Sequence, residues 1–481
     1  MSAKLRVAVV GAGPAGIYAA DILHRSERDF EVEIDLFERL PAPYGLVRYG
    51  VAPDHPRIKG IITALRQVLD EGNIRYFGNV NYGTDITLAD LQRHYHAVIF
   101  ATGAITDAPL NIPGINAAES HGAADFVNWF DGHPDVPRTW ELNAEQVAVV
   151  GNGNVALDIS RMLVKDPEEL LATEIPENVY EGLRKNPLKQ LHVFGRKGPT
   201  QVKFTPLELR ELGEVNGVDM VLDERDFELI DDYLTEQAKS NKQMLVISRI
   251  LGKWRDEQRA REAGEVPAAD RQLHLHFWSK PVAVLLDEAG SVRAIKLQRT
   301  RPDGAGGVID TDEFTEIPVQ ALYRAVGYFG SPLASVPFDS QRGIIPNIAG
   351  RVIAGADPAA TASGDSAAGD AEVPAEPVTG VYATGWIKRG PVGLIGATKS
   401  DAKETIDSLL ADWQAGAVWQ PEVTETEAIP ALLAERGINY ITVEGWHRLD
   451  EHEIALGEAV GRPRIKVVPR DEMVAISNAA D

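Results

Sequence analysis

The 481-residue sequence contains no cysteine. That removes disulfides, thiolate-bound zinc, cysteinyl-flavin links and protein-bound iron–sulfur clusters, and with them thiol–disulfide exchange. Any redox work must therefore rest on a bound organic cofactor. Long apolar runs are missing too, the longest falling far short of a membrane span. No signal peptide is expected, because a glycine loop begins at Gly11 directly after an apolar run. Positive charge is scarce: 48 Lys and Arg against 71 Asp and Glu leave a formal net charge of −23. Such a balance disfavours non-specific binding to nucleic acid or to an anionic membrane. A cytoplasmic or matrix-like location and the absence of a metal are the default expectations. Nothing resembles a coiled coil or a dedicated dimer arm, so a monomer is favoured.

What the sequence does contain is a repeat. Residues 7–16 read VAVVGAGPAG, and residues 147–156 read VAVVGNGNVA. A chain this long exceeds one ordinary core, so two domains are expected. Leu5–Val10 suits a strand buried on both faces, Pro14–His24 a helix packed closely on a sheet, and Glu31–Glu38 a second strand. Residues 39–56 are rich in Pro and Gly and predict a long functional loop. Helical spacing returns over Arg57–Glu71, a capping-box pair Thr87 and Asp90 opens a short helix, and Ala97–Phe100 is a strand ending in Ala101-Thr102-Gly103. Helical stretches are expected over 155–172 and 226–263. Leu273–Trp278, 281–286 and 292–299 read as strands, the last two joined at Gly290. The string VYATGW at 381–386 repeats the sense of VIFATG at 98–103. The chain is therefore expected to return to its first domain. That gives an α/β fold of two Rossmann-like dinucleotide-binding domains, one inserted in the other: 1–106 with 331–481, and 107–330 between them. Residues 351–378, poor in large apolar side chains, are expected to be a flexible surface insertion.

Gly11, Gly13 and Gly16 fit G-x-G-x-x-G. Such glycines allow a tight turn, let the backbone approach a pyrophosphate and bring strand and helix together, and the helix N-terminus then faces the phosphates. Glu38, at the end of the next strand, is placed to hold two ribose hydroxyls. In the second loop Gly151, Gly153, Asn154 and Val155 occupy the matching positions, with Ala156 in place of the third glycine. Its following strand, Leu191–Phe194, ends in Gly195-Arg196-Lys197 instead of an acid. A carboxylate repels a 2′-phosphate, whereas a guanidinium grips it bidentately and a lysine adds a point charge. The two loops thus call for two nucleotides: NADP for the second, which leaves FAD for the first.

Several rarer strings now carry a resemblance. YGLVRYGVAPDHP (44–56), GNGNVALDISR (151–161), FGRKGPTQVKFTPLELRE (194–211) and GWIKRGPVGLIGATKSDA (385–402) resemble the adrenodoxin reductase-type ferredoxin–NADP reductases, bacterial members included. The resemblance covers nearly the whole chain except the insertion. It implies the two-nucleotide architecture of glutathione reductase-like flavoproteins, and electrons passed from NADPH through FAD singly to a ferredoxin. It also implies FAD contacts at Ala15, Glu38, Leu46 and Val80, with Trp386 and Gly393, Leu394 and Ile395 closing over the flavin. NADP contacts are implied at Gly393, Asn154, Arg196, Lys197 and Glu208, and His55 and Glu211 match positions of the family's active site. Where the family shows Arg-Arg, this chain has Arg196-Lys197, which loses one planar fork. For an acidic ferredoxin, the candidate basic patches are Arg184, Lys185 and Lys189 near Arg196 and Lys197, or Lys388 and Arg389 beside Trp386.

Other readings compete. A disulfide reductase shares the layout but needs paired cysteines, which excludes it. A flavoprotein monooxygenase would need fingerprint strings that are missing. An NADPH-oxidising module of a larger assembly, or a nucleotide-bound sensor without turnover, stays open.

Overall fold

In this computed structural model, residues 4–354, 376–393 and 395–479 are described. The chain forms two compact units. One comprises Met1–Thr106, Asp131–Asp135 and Tyr328–Asp481, the other Asp107–Phe130 and Val136–Gly327.

In the first unit the strand Lys4–Val10 is buried at every residue but its first, because parallel strands flank it on both sides. Its side chains alternate between two cores. Leu5, Val7 and Val9 pack with Ile34, Leu36 and, from the helix Pro14–Arg25, Ile17, Ala20 and Leu23. Ala8 and Val10 pack with Phe37, Val98, Phe100, Leu91 and Leu433 on the opposite face. The sheet has seven strands. Arg75–Gly78, Glu31–Glu38, Lys4–Val10, Ala97–Phe100 and Glu376–Ala383 run parallel in that order. Arg351–Ala354 and Asn347–Ile348 extend the sheet antiparallel. The chain steps outward from Lys4–Val10 to Arg75–Gly78, then crosses back to the other side of the opening strand. The reversal falls at Val10, and ligands of open α/β sheets bind outside the strand ends at such a point.

The second unit repeats the plan. Six parallel strands lie in the order Ser120–Gly122, Ala321–Arg324, Gln146–Val150, Gln190–Phe194, Arg271–His276 and Val218–Leu222. The order reverses at the end of Gln146–Val150. A separate antiparallel sheet joins Ser279–Leu286, Val292–Pro302 and Val308–Pro318.

Several expectations need correction. Residues 351–354 and 376–378 are not loop, since they belong to Arg351–Ala354 and Glu376–Ala383, which pair in the main sheet. The remainder of the expected insertion, 355–375, lies outside the described residues. Residues 131–135 fall with the first unit, held there by Lys59 on Asp131 (3.1 Å) and by Arg470 on Asp135 (2.6 Å). These are ion pairs, which leave no apolar pattern to read. The helix expected over Arg57–Glu71 breaks into Pro56–Lys59 and Ile62–Asp70 around Gly60, a poor helix residue. The loop 39–56 contains one helical turn, Leu46–Tyr49. The stretch expected over 226–263 is three helices, Arg225–Glu228, Asp232–Ser240 and Lys242–Glu262. Val308–Pro318 escaped notice because it is an edge strand, mostly exposed and without an apolar face.

The glycine loops make the packing testable. A Cβ on Gly16 would overlap Gly11 O, whereas at the matching place the second unit already carries Ala156, fully buried. Gly16→Ala is expected to cost about 1–3 kcal/mol through overpacking, and Ala156→Gly only about 1 kcal/mol through helix propensity. Thermal unfolding of both variants checks this. A Gly16→Ala protein no less stable than Ala156→Gly would contradict the packing argument.

Candidate functional site: two nucleotide cradles

The first cradle is built where the opening strand ends. Gly11 has φ +108°, and a Cβ there would lie 2.5 Å from Ala101 O, so glycine is required twice over. Its N–H donates to Phe37 O at 2.7 Å, and Ala101 N–H donates to Val10 O at 2.8 Å. Gly13 caps the helix Pro14–Arg25, which has no side-chain cap and no acid in its first turn. A Cβ on Gly13 would meet nothing nearer than Gly45 Cα at 4.0 Å. The helix end thus offers free space and its positive dipole end to an anion.

Glu38 closes the cradle. Its Oε2 accepts Ala12 N–H at 2.8 Å and its Oε1 accepts Leu40 N–H at 3.0 Å, which fixes the carboxylate beside the glycine loop. Burial pushes its pKa above the usual carboxylate range, against the pull of those two donors. Each oxygen keeps a further lone pair for a hydroxyl. Tyr44 N–H donates to Ala12 O at 2.8 Å and folds the 39–56 loop back on the glycines. Leu46 follows, half-buried, at the start of its helical turn, and buried Val80 donates its N–H to Glu38 O at 2.9 Å.

A third approach comes from the C-terminal part of this unit. Gly385 has φ +74°, and a Cβ there would fall 2.6 Å from the methyl of Ala15. Trp386 comes next, half-buried, its ring 6.2 Å from that of Tyr328 and tilted by 29°. Asp401, which the sequence reading missed, holds this corner. It accepts Gly385 N–H at 2.5 Å and pairs with Lys388 at 2.9 Å. Its only signal was its place near the end of the string 385–402. The structure thus brings Gly11, Gly13, Ala15, Gly16, Glu38, Leu46, Val80 and Trp386 to one end of the sheet. Gly393 is exposed, Leu394 lies outside the described residues, and Ile395 begins the helix Ile395–Gln414. His55 is buried at the head of Pro56–Lys59, where its side chain makes no capping bond.

The second cradle repeats three backbone bonds of the first. Gly151 has φ +139°, and a Cβ there would overlap Ala325 O. Its N–H donates to Phe194 O at 3.0 Å, and Ala325 N–H donates to Val150 O at 2.8 Å. Lys203 N–H donates to Asn152 O at 3.1 Å, as Tyr44 does to Ala12. Nothing would lie within 4 Å of a Cβ on Gly153. Val10 pairs with Phe37, and Val150 with Phe194, so Gly195 stands where Glu38 stands in the first cradle.

Arg196 follows, exposed, and among the described residues its guanidinium makes no hydrogen bond or ion pair. Lys197 is turned aside, donating to Gly306 O at 3.1 Å. Asn154 Oδ1 accepts Thr205 N–H at 2.8 Å and so ties the helix Asn154–Val164, in which Val155 comes second, to the helix Pro206–Gly213. Glu208 is buried, 3.6 Å from Arg161, and Glu211 is half-buried one turn further on. The suggested basic patch at Lys388 and Arg389 is corrected: Lys388 is buried against Asp401 and Glu404, and Arg389 is half-buried beside Asp401. Arg184 and Lys189 are exposed but paired with Glu181 and Glu145.

Two glycine cradles at two switch points, with no cysteine between them, define a two-nucleotide oxidoreductase of the pyridine-nucleotide flavoprotein class. The family model for pyridine nucleotide-disulphide oxidoreductases matches residues 5–170. The NADPH-ferredoxin reductase FprA of Mycobacterium tuberculosis is 36% identical, over 98% of each chain. Human mitochondrial NADPH:adrenodoxin oxidoreductase is 35% identical, over 98% of this chain and 91% of its own. The solved structure of M. tuberculosis FprA in complex with NADPH covers 99% of this chain and 100% of its own, with a TM-score of 0.85 and 35% identity. The chain belongs to the adrenodoxin reductase-type ferredoxin–NADP reductases.

Gly13 offers a direct check on the first cradle. Its φ of −75° suits any residue, so Gly13→Val leaves the backbone unstrained and fills only the space above the helix end. The variant is expected to purify folded but without flavin. A yellow, FAD-loaded variant would show that the first loop does not approach the pyrophosphate.

Proposed function

We propose that this protein takes electrons from NADPH and passes them through FAD singly to a ferredoxin. The observation that carries the assignment of the cradles is the exchange of Glu38 for Gly195-Arg196 at one position of two matching sheets. FAD occupies the first cradle, with its pyrophosphate at Gly11, Gly13, Ala15 and Gly16 and its ribose on Glu38. Leu46, Val80, Trp386 and the segment from Gly393 line the remainder of that site. NADP occupies the second, with its pyrophosphate at Gly151, Gly153, Asn154 and Val155. Bound there, NADPH would supply the hydride, and FAD would supply its acceptance and the division of the electron pair into single electrons.

The chain's own part is binding and orientation. Arg196 grips the 2′-phosphate, and Lys197 adds charge only after releasing Gly306. Glu208 holds Arg161 beneath the second cradle. His55 and Glu211 are assigned to proton handling, supported by their match to the family's strings and by the burial of His55. The reading places the protein in the cytoplasm, where NADPH and a ferredoxin meet.

Cytochrome c reduction by the purified protein, with NADPH or NADH and with or without ferredoxin, tests the reading. Strong stimulation by ferredoxin with NADPH preferred is expected; dye reduction without any ferredoxin effect would point to another acceptor. Arg196→Glu is expected to raise the KM for NADPH about 10- to 100-fold, the worth of a charge-assisted hydrogen bond, and to spare NADH. Equal loss with both nucleotides would remove Arg196 from 2′-phosphate recognition.

A further inference from the structure

His192, His274 and His276 form a cluster in the second unit that neither cradle uses. Gln190–Phe194 and Arg271–His276 pair in parallel with His192 opposite His274, and the two-residue period of a strand carries His276 onto the same face. One ring nitrogen from each histidine lies within 4.8 Å of the other two. His192 Nδ1 and His276 Nε2 are 3.0 Å apart. The rings of His192 and His274 stack at 4.5 Å, and those of His192 and His276 at 5.3 Å.

Two observations separate this cluster from ordinary packed histidines. Nε2 of His274 is buried and has no hydrogen-bond partner among the described residues, an arrangement that costs about 1–3 kcal/mol when nothing fills it. Burial also pulls the pKa of His192 and His276 down to about 3 and that of His274 to about 4, so all three are neutral near pH 7. A neutral imidazole keeps a nitrogen lone pair for a metal, and three of them are the donor set that suits borderline divalent ions. The positive charge of Arg299, which acts on His276, is offset by its ion pair with Asp226 at 2.6 Å.

We propose that His192, His274 and His276 bind one divalent transition-metal ion of the zinc type, with water in the fourth position, and so clamp the two strands together. Zn–N bonds of about 2.0–2.1 Å place ligand nitrogens roughly 3.3 Å apart in a tetrahedron. The His192–His276 pair is already that close. Turns of all three side chains about their torsions close the remaining gap to His274 and bring the near-parallel rings to face one point. The sequence shows only the spacing His274-x-His276, and His192 joins that pair through the pairing of two strands.

The test uses the untagged holoenzyme, treated with chelator, dialysed and titrated with Zn²⁺ in a calorimeter. One equivalent per chain and a higher unfolding temperature are expected, because the ion binds only the folded state. His274→Asn should weaken binding by more than about tenfold. The double variant His192→Asn/His274→Asn should abolish it, and His452→Asn, at an exposed histidine, should leave it unchanged. No bound equivalent, or undiminished binding by the double variant, would overturn the proposal. Should the variants fail to fold, Co²⁺ added to the wild-type holoenzyme decides. Intense visible bands of a tetrahedral nitrogen site, at longer wavelength than the flavin absorption, are expected. The weak spectrum of hydrated cobalt would refute the site.

Discussion

Both cradles depend on one steric constraint. At the strand end where each sheet reverses its order, the chain passes so close to the neighbouring strand that no Cβ fits between them. Gly11 meets Ala101 O in the first unit, and Gly151 meets Ala325 O in the second. Both turn through positive φ, and both donate their N–H to the strand on the other side, to Phe37 O and Phe194 O. This close passage points the helix N-terminus at open space beyond the sheet, where an anion is stabilised by N–H groups and the helix dipole. Replace either glycine and the helix end must shift away from that space.

Upon that shared geometry the two sites diverge by very few atoms. In the first, Glu38 is locked by Ala12 and Leu40 and presents acceptor lone pairs to hydroxyls. In the second, Gly195 leaves the position bare, and Arg196 is exposed with its guanidinium uncommitted among the described residues. The carboxylate favours a diol and rejects a phosphate; the guanidinium does the reverse. A duplicated scaffold therefore holds two chemically distinct nucleotides. The absence of cysteine leaves the pair of nucleotides, and not a dithiol, as the carrier of electrons.

The parts of the structure legible in the sequence were those with a local signature. Leu5–Val10 announces itself by an apolar run ended by glycines, Thr87 and Asp90 by their capping spacing, and the second cradle by its likeness to the first. Contacts between distant segments left no such mark. Asp401 secures Gly385 and Lys388 from a helix that reads as an ordinary charged surface. Arg48 is buried against Glu453 at 2.5 Å, joining the 39–56 loop to a C-terminal helix through an ion pair that no periodicity reveals. Lys388, which reads as a free cation, proved to be buried and paired. Val308–Pro318 is a strand by pairing alone, with Phe314 half exposed beneath Lys296. Charge and spacing locate candidates, whereas only the fold decides which of them face a ligand.

The central claim is that one chain holds two different nucleotides at once, and stoichiometry tests it most directly. The purified protein should release one FAD per chain on denaturation. Before denaturation, the same FAD-loaded protein should bind one further equivalent of NADP⁺ without losing flavin, and bind NAD⁺ far more weakly. Displacement of FAD by NADP⁺, or two equivalents of a single nucleotide, would contradict the account.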